Sequence, residues 1–227
     1  MNSLEEVLAA PERDRVREAA SRALGPFYSP WVHLAATSCL GLAGVTLGVW
    51  QLHQVRPWEW LAAVGLWVLS NAAEWRIHRD LLHHRRRWVP MLYDRHTPEH
   101  HRVFITQDMA LRGAREIGLV MIPPYAIAVL FVGLFPLFGG LWWWGLHNLA
   151  GLFCIVTMGY ILTYEWLHLA FHLPLGYLVG PLAPVRWLRR HHAIHHDPRL
   201  MQRWNFNVTV PLWDWVARTY LRSRGTA

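Results

Sequence analysis

Three stretches of the chain, Trp31–Leu52, Ile117–Phe138 and Leu141–Tyr164, run 22 to 24 residues without one Asp, Glu or Arg. A helix needs about 20 apolar residues to cross the hydrocarbon layer of a bilayer. Inside that layer every backbone N–H and C=O must be satisfied within the protein, which leaves helices as the natural form for isolated runs of this length. A fourth stretch, Pro57–Ile77, is weaker and keeps Glu59, Glu74 and Arg76 at its ends. The expectation is an all-α integral membrane protein with four transmembrane helices. At 53% hydrophobic and with fifteen tryptophans, the 227 residues carry more apolar surface than a soluble core of this size needs. A soluble bundle of buried helices is the competing reading, and helices apolar on all sides over this length argue against it.

The basic residues fix an orientation. All 22 are arginine, and 21 lie in residues 1–30, 74–116 or 165–227, leaving only Arg56 between the first two spans. The positive-inside rule places both termini and the 74–116 segment in the cytoplasm. The net charge of +7 then reads as attraction to anionic lipid; the arginines flank spans and form no free basic domain, so no nucleic-acid partner is expected. Cys39 and Cys154 fall within spans without Cys-x-x-Cys spacing, which excludes a disulfide framework or an iron–sulfur cluster. The first thirty residues carry Glu5, Glu6, Glu12 and four arginines ahead of any apolar run, unlike a cleavable signal peptide.

Twelve of the fifteen histidines gather in four clusters, each at or beyond the end of an apolar run. His78 and His83 are followed by His84. His96, His100 and His101 read His-x-x-x-His-His, His168 and His172 are four apart, and His192, His195 and His196 follow His191 as His-x-x-His-His. On an α-helix, residues four apart differ by about 40°, so His96/His100, His168/His172 and His192/His196 are each expected to present two imidazoles from one face. His78 and His83, five apart, differ by about 140° and are expected to reach different ions unless the helix ends between them. Imidazole ligates iron, zinc, copper or nickel. These ten, His78, His83, His96, His100, His101, His168, His172, His192, His195 and His196, exceed the roughly six positions of one octahedral ion, and two ions are the natural count. The adjoining His84 and His191 point about 100° from their neighbours and are expected outside the ligand set. Glu165, Glu74, Asp94 and Asp197 are expected to accept from imidazole N–H groups. His33 and His53 read as interfacial or hydrogen-bonded residues, and His147 as structural, together with Asn148.

Along the chain, Ser3-x-x-Glu6 resembles a capping box, and Pro11 ahead of Glu12–Ala23 predicts a short helix closed by Gly25-Pro26. Residues 1–30 are thus expected as a cytoplasmic helical prelude to a membrane domain, 31–227. The first hairpin turns near Gln54–Pro57. Pro90 and Pro98 read as breaks in the polar segment 78–116, Pro123-Pro124 as a kink in the third span, and Phe138–Gly140 as the external turn into the fourth. Trp142, Trp143 and Trp144 read as an aromatic belt. Leu173–Val185, apolar but broken by Pro174, Gly176, Gly180, Pro181 and Pro184, reads as an interfacial or re-entrant segment.

These residues resemble the fatty acid hydroxylase and sterol desaturase superfamily of histidine-rich integral-membrane di-iron oxygenases. The likeness covers about residues 74 to 220. It is carried by His78/His83, His96/His100/His101, Tyr164-Glu165-x-x-His168-x-x-x-His172 and His192/His195/His196, and by an ending of Asn205-Phe206-Asn207-Val208-Thr209 then Pro211-Leu212-Trp213-Asp214. Asn207 stands where the family pattern commonly has glycine, and asparagine tolerates positive φ. The resemblance implies a cytoplasmic helical cap bearing a di-metal site of two irons, with zinc as a substitute metal, and dioxygen as co-substrate. It also implies hydroxylation of a fatty acyl, sterol or isoprenoid C–H bond in a membrane lipid. Electrons would come from a separate cytochrome b5-like protein or ferredoxin with its reductase, since no nucleotide-binding glycine loop or haem module is legible. Desaturation of the same lipids is the nearest alternative. A zinc-dependent membrane hydrolase lacks its His-Glu-x-x-His, and a metal-handling protein would line its spans with the histidines.

Overall fold

The computed structural model describes residues 9–174, 176–177 and 180–222. Among these it is helical, with no strand beyond an isolated bridge between Ile105 and Asp108. The helices are α1 (Ala10–Ala23), α2 (Pro30–Trp50), α3 (Pro57–Ile77), α4 (Pro90–Arg95), α5 (His101–Val103), α6 (Ile117–Val120), α7 (Pro124–Trp143), α8 (His147–His172), α9 (Ala183–His195) and α10 (Leu212–Val216). Two π-helical turns, His78–Leu82 and His96–His100, precede α4 and α5. The expected capping box at Ser3 and Glu6 lies outside the described residues.

The chain divides into two compact units. One comprises the described residues up to Tyr28, Asn71–Met121 and Leu167 onward; the other comprises Ser29–Ser70 and Ile122–Trp166.

The second unit is built from α2, α7, most of α3 and most of α8, and its packing is inverted relative to a water-soluble bundle. Leu42, Val49, Leu61, Val64, Val129, Val132, Phe135 and Leu137 are all more than half exposed, as expected of side chains that face lipid. The inward positions of α2 are small. Gly41 and Gly44 lie against Leu162 and Met158 of α8, and a Cβ on Gly48 would sit 2.5 Å from the Gly151 carbonyl oxygen. Close approach of helix backbones through small residues is how helices associate where lipid removes the hydrophobic drive. Gly48→Ala is therefore expected to destabilise this helix pair by about 1–3 kcal/mol, read as a lower thermal midpoint in detergent, whereas Gly65→Ala, with open space around it, should leave the midpoint unchanged.

Among the described residues, three helices are long and apolar enough to cross a membrane: Pro30–Trp50, Ala114–Trp143 and His147–His172. The fourth expected span, α3, is a helix of 21 residues but is not among them. Its carboxylates lower its hydropathy, yet Glu59 is buried and accepts from the Arg56 N–H at 2.6 Å and the Asn148 amide at 3.1 Å. Asn148 also holds the first hairpin, bonding the His53 N–H at 2.8 Å and the His53 carbonyl at 2.9 Å.

Span boundaries differ from the sequence expectation. Pro123-Pro124 does not kink a helix; Pro124 opens α7, where a missing N–H costs nothing. Residues Ile117–Met121 instead belong to the first unit and are buried there. α7 continues through Phe138–Gly140, and the turn falls at Trp144–Leu146, where Gly145 takes φ +75. The tryptophan triplet ends α7, and His147 begins α8.

In the first unit, α1 opens with Pro11 in its first turn and ends before Gly25 at φ +82. It groups with Asn71–Met121 and Leu167 onward. Arg17 is buried, donates to the Ala110 carbonyl at 3.0 Å, lies 3.4 Å from Glu116 and covers the Phe104 ring. The segment expected at the interface, Leu173–Val185, falls partly outside the described residues, and α9 starts within it at Ala183.

Candidate metal centre

The first unit brings all ten expected histidines together, and it sorts them into two groups of five. His78, His83, His96, His101 and His195 form one; His100, His168, His172, His192 and His196 form the other, with the nitrogens of each group within 4.8 Å of one another. All ten side chains are buried. The groups abut: the His101 ring stacks on His196 with centroids 4.4 Å apart, and His100 lies 5.4 Å from His96.

This sorting corrects two expectations from helical spacing. His78 and His83 share a group because the chain between them is a π-helical turn, in which the His83 N–H bonds the His78 carbonyl five residues back at 3.2 Å. The wider turn brings residues five apart to one side. His96 and His101 are paired by the second such turn, so His96 and His100 part company despite their i, i+4 spacing. Pro98 sits inside this turn and does not break it. α8 and α9 follow the α-helical rule: His168/His172 and His192/His196 each stay together.

Five imidazoles are oriented from behind by backbone carbonyls. The Nδ1 atoms of His100, His172, His195 and His196 lie 2.9, 2.8, 2.9 and 2.6 Å from the carbonyl oxygens of Leu119, Met109, Trp204 and Phe104, and that of His78 bonds the Phe206 carbonyl. A carbonyl only accepts, so each Nδ1 carries the proton and each Nε2 is left with a lone pair. Thr97 does the same for His83: its hydroxyl donates to the Leu82 carbonyl at 2.6 Å, which leaves its oxygen to accept from His83 Nδ1 at 3.3 Å.

The Nε2 atoms then face one another. Those of His83 and His195 are 3.0 Å apart, and both are acceptors. His78 and His96 meet at 2.9 Å, His101 and His96 at 3.0 Å, and His196 and His192 at 2.9 Å through the same atoms. Nε2 of His100 and of His172 are buried without a hydrogen-bond partner. Between His83 and His195, opposed lone pairs at this distance repel unless a cation lies between them. Two nitrogens each ~2.1 Å from one ion and at right angles to each other lie ~3.0 Å apart. The donor set therefore fits a transition-metal ion in each group.

Burial keeps these imidazoles neutral, as a ligand must be. Loss of hydration is the largest cause, and the neighbouring imidazoles add to it, so His78, His83, His96, His101, His192 and His196 are held well below the ordinary value of 6.5. His100 and His195 are lowered to about 4. Their unfolded counterparts take up protons near 6.5 while the folded groups do not, so between about 6.5 and about 4 the unfolded state binds more protons. Stability is thus present above this window and lost as pH falls through it. The thermal midpoint of metal-free protein is expected to decline steadily on acidification from pH about 7 to about 5; a flat profile would contradict neutral burial.

The carboxylates and histidines expected around the cage take other partners. Asp94 is half-buried and pairs with Arg85 at 2.7 Å, and Asp197 pairs with Arg199 at 2.7 Å. Glu165 accepts from the Ile122 N–H at 3.0 Å. Glu74 gathers the N–H groups of Val208 and Thr209 with the side chains of Thr209 and Asn207. His84 is exposed and bonds the Arg79 carbonyl at 2.8 Å; His191 is buried, 3.1 Å from Asp214 and stacked on Tyr220. Acceptors for the imidazoles are carbonyls because a backbone oxygen needs no charged side chain in a dry cage, and nothing in a sequence marks such an oxygen. Thr97 and Phe104 also escaped the sequence reading, and Phe206 is legible there only within the ending 205–209; the rings of Phe104 and Phe206 pack on His172 at 4.6 Å and His195 at 5.7 Å. Positive φ falls at Asn205, φ +60, and not at Asn207, whose side chain instead donates to the Asn71 carbonyl at 3.1 Å.

His33 is buried with Nε2 3.0 Å from the Ile122 carbonyl, while His53 and His147 are exposed; none of the three belongs to either group. A family model described as fatty acid hydroxylase matches residues 63–219, more than two thirds of the chain and all ten grouped histidines. No curated protein and no solved structure matches the chain.

Proposed function

This chain belongs to the fatty acid hydroxylase family, and from that premise we propose that it is a membrane-bound di-iron oxygenase that hydroxylates a C–H bond in a lipid chain. The observation that carries the proposal is the sorting of ten buried histidines into two abutting groups of five, with ligand nitrogens within 4.8 Å of one another in each and four Nε2 pairs at 2.9–3.0 Å. Five nitrogens exceed the four of a closed zinc site and fall one short of six, which favours a metal that keeps a position for a small co-substrate. Two irons bound there would supply dioxygen activation and the oxidising power for an unactivated C–H bond. The chain's own part is to hold the imidazoles in one tautomer through the carbonyls of Phe104, Met109, Leu119, Trp204 and Phe206, and to keep water from the pocket with Phe104 and Phe206. Electrons come from a separate cytochrome b5-like or ferredoxin donor.

The proposed topology has four spans, with α3 as the fourth, both termini and the histidine groups on the cytoplasmic side. Burial of Glu59 and Glu74 supports α3 in that role, because neither carboxylate is left facing lipid. The arginine distribution supports the orientation. Protein purified without oxygen, given a reductase chain, membrane lipid and isotopically labelled dioxygen, is expected to yield lipid carrying one labelled oxygen atom. A product two hydrogens lighter and without label would show desaturation. Turnover without oxygen, or with zinc alone, would show hydrolytic chemistry and overturn the proposal.

A further inference from the structure

Two buried carboxylates outside the histidine groups converge on one short loop. Asp214 accepts from the N–H of Phe206 at 3.0 Å and of Asn207 at 2.9 Å, while Glu74 accepts from the N–H of Val208 and, at 3.1 Å, from that of Thr209. Four consecutive backbone donors are thereby turned toward acid side chains. Side chains close the arrangement: Asn207 donates to Glu74 at 3.2 Å and accepts from the Asp214 N–H at 3.1 Å, and Thr219 donates to Asp214 at 2.7 Å. Asn205, in the left-handed region, donates to the carbonyls of His191 and Leu221 at 3.0 Å each.

With its donors fixed outward, this stretch presents carbonyls to the cage. Phe206 receives Nδ1 of His78, and Trp204, just before the loop, receives Nδ1 of His195. Both histidines belong to the first group. The second group leans on other segments, through the carbonyls of Phe104, Met109 and Leu119. We propose that Glu74 is a positioning residue for the first histidine group alone, acting through the 204–209 backbone, so that the two metal sites can be weakened separately; Asp214 also meets His191 of α9 at 3.1 Å, beside His192 of the second group, and is not confined to the first. This rests on the reading of the two groups as metal sites.

The test titrates full-length, metal-free protein in detergent with Co(II), following its ligand-field absorption. His78→Ala and His172→Ala supply the spectra of the second and the first group alone. Glu74→Gln, which puts a donor where the loop needs an acceptor, is expected to lower first-group Co(II) affinity about tenfold or more and to leave second-group affinity within about twofold, in line with the cost of losing a metal site's outer support. Thr209→Val, which removes one donor to Glu74, should act in the same direction and more weakly, and it keeps the test open should Glu74→Gln not fold. Equal weakening of both groups, loss confined to the second, or no change in either variant would overturn the proposal. Wild-type protein taking up fewer than two Co(II) per chain would instead overturn the di-metal reading on which it rests.

Discussion

Alanine in place of any one of the ten grouped histidines is expected to reduce hydroxylation at least ~100-fold, beyond the 10–100-fold that loss of an outer partner typically costs a metal site. The two groups should fail differently. His83→Ala or His195→Ala strikes the first, in which their Nε2 atoms face each other at 3.0 Å; His172→Ala or His192→Ala strikes the second. Each should lower affinity for one ion more than for the other. His33→Ala, His53→Ala and His147→Ala should retain both ions, since His33 donates to the Ile122 carbonyl outside both groups and the other two are exposed outside the groups. Metal analysis of each variant, beside its turnover, checks the set. Loss of metal from His147→Ala would break the division between grouped and ungrouped histidines.

What was legible in the sequence was governed by composition and local spacing. Long uncharged runs gave the helices, and the ten clustered histidines gave the members of the site, because both are properties of residue identity. What escaped reading depended on backbone path. The pairing of His78 with His83 turns on one extra residue in a helical turn, and no residue type announces a π-turn; the same feature separates His96 from His100. Ile117–Met121 reads as span because it is apolar, yet it is buried in the histidine-bearing unit, where Leu119 supplies a carbonyl to His100. Acidic residues near the histidines suggested imidazole partners, but arginines claim Asp94 and Asp197, and backbone N–H groups claim Glu165 and Glu74. Asn207 drew attention as a substitute for glycine, whereas the left-handed residue is Asn205 two positions earlier.

Metal content has the most direct bearing on the central claim, that ten imidazoles make two adjacent ion sites within one chain. Opposed Nε2 lone pairs on His83 and His195 in the first group, and orphaned Nε2 atoms on His100 and His172 in the second, would each forfeit about 1–3 kcal/mol if left buried and unsatisfied. A bound ion in each group relieves that cost, and one ion relieves only half of it. Protein prepared without oxygen should therefore carry two irons per chain, and X-ray absorption at the iron edge should show nitrogen neighbours at about 2.1 Å with a second iron beyond them. One iron per chain, or a shell dominated by sulfur, would contradict the account.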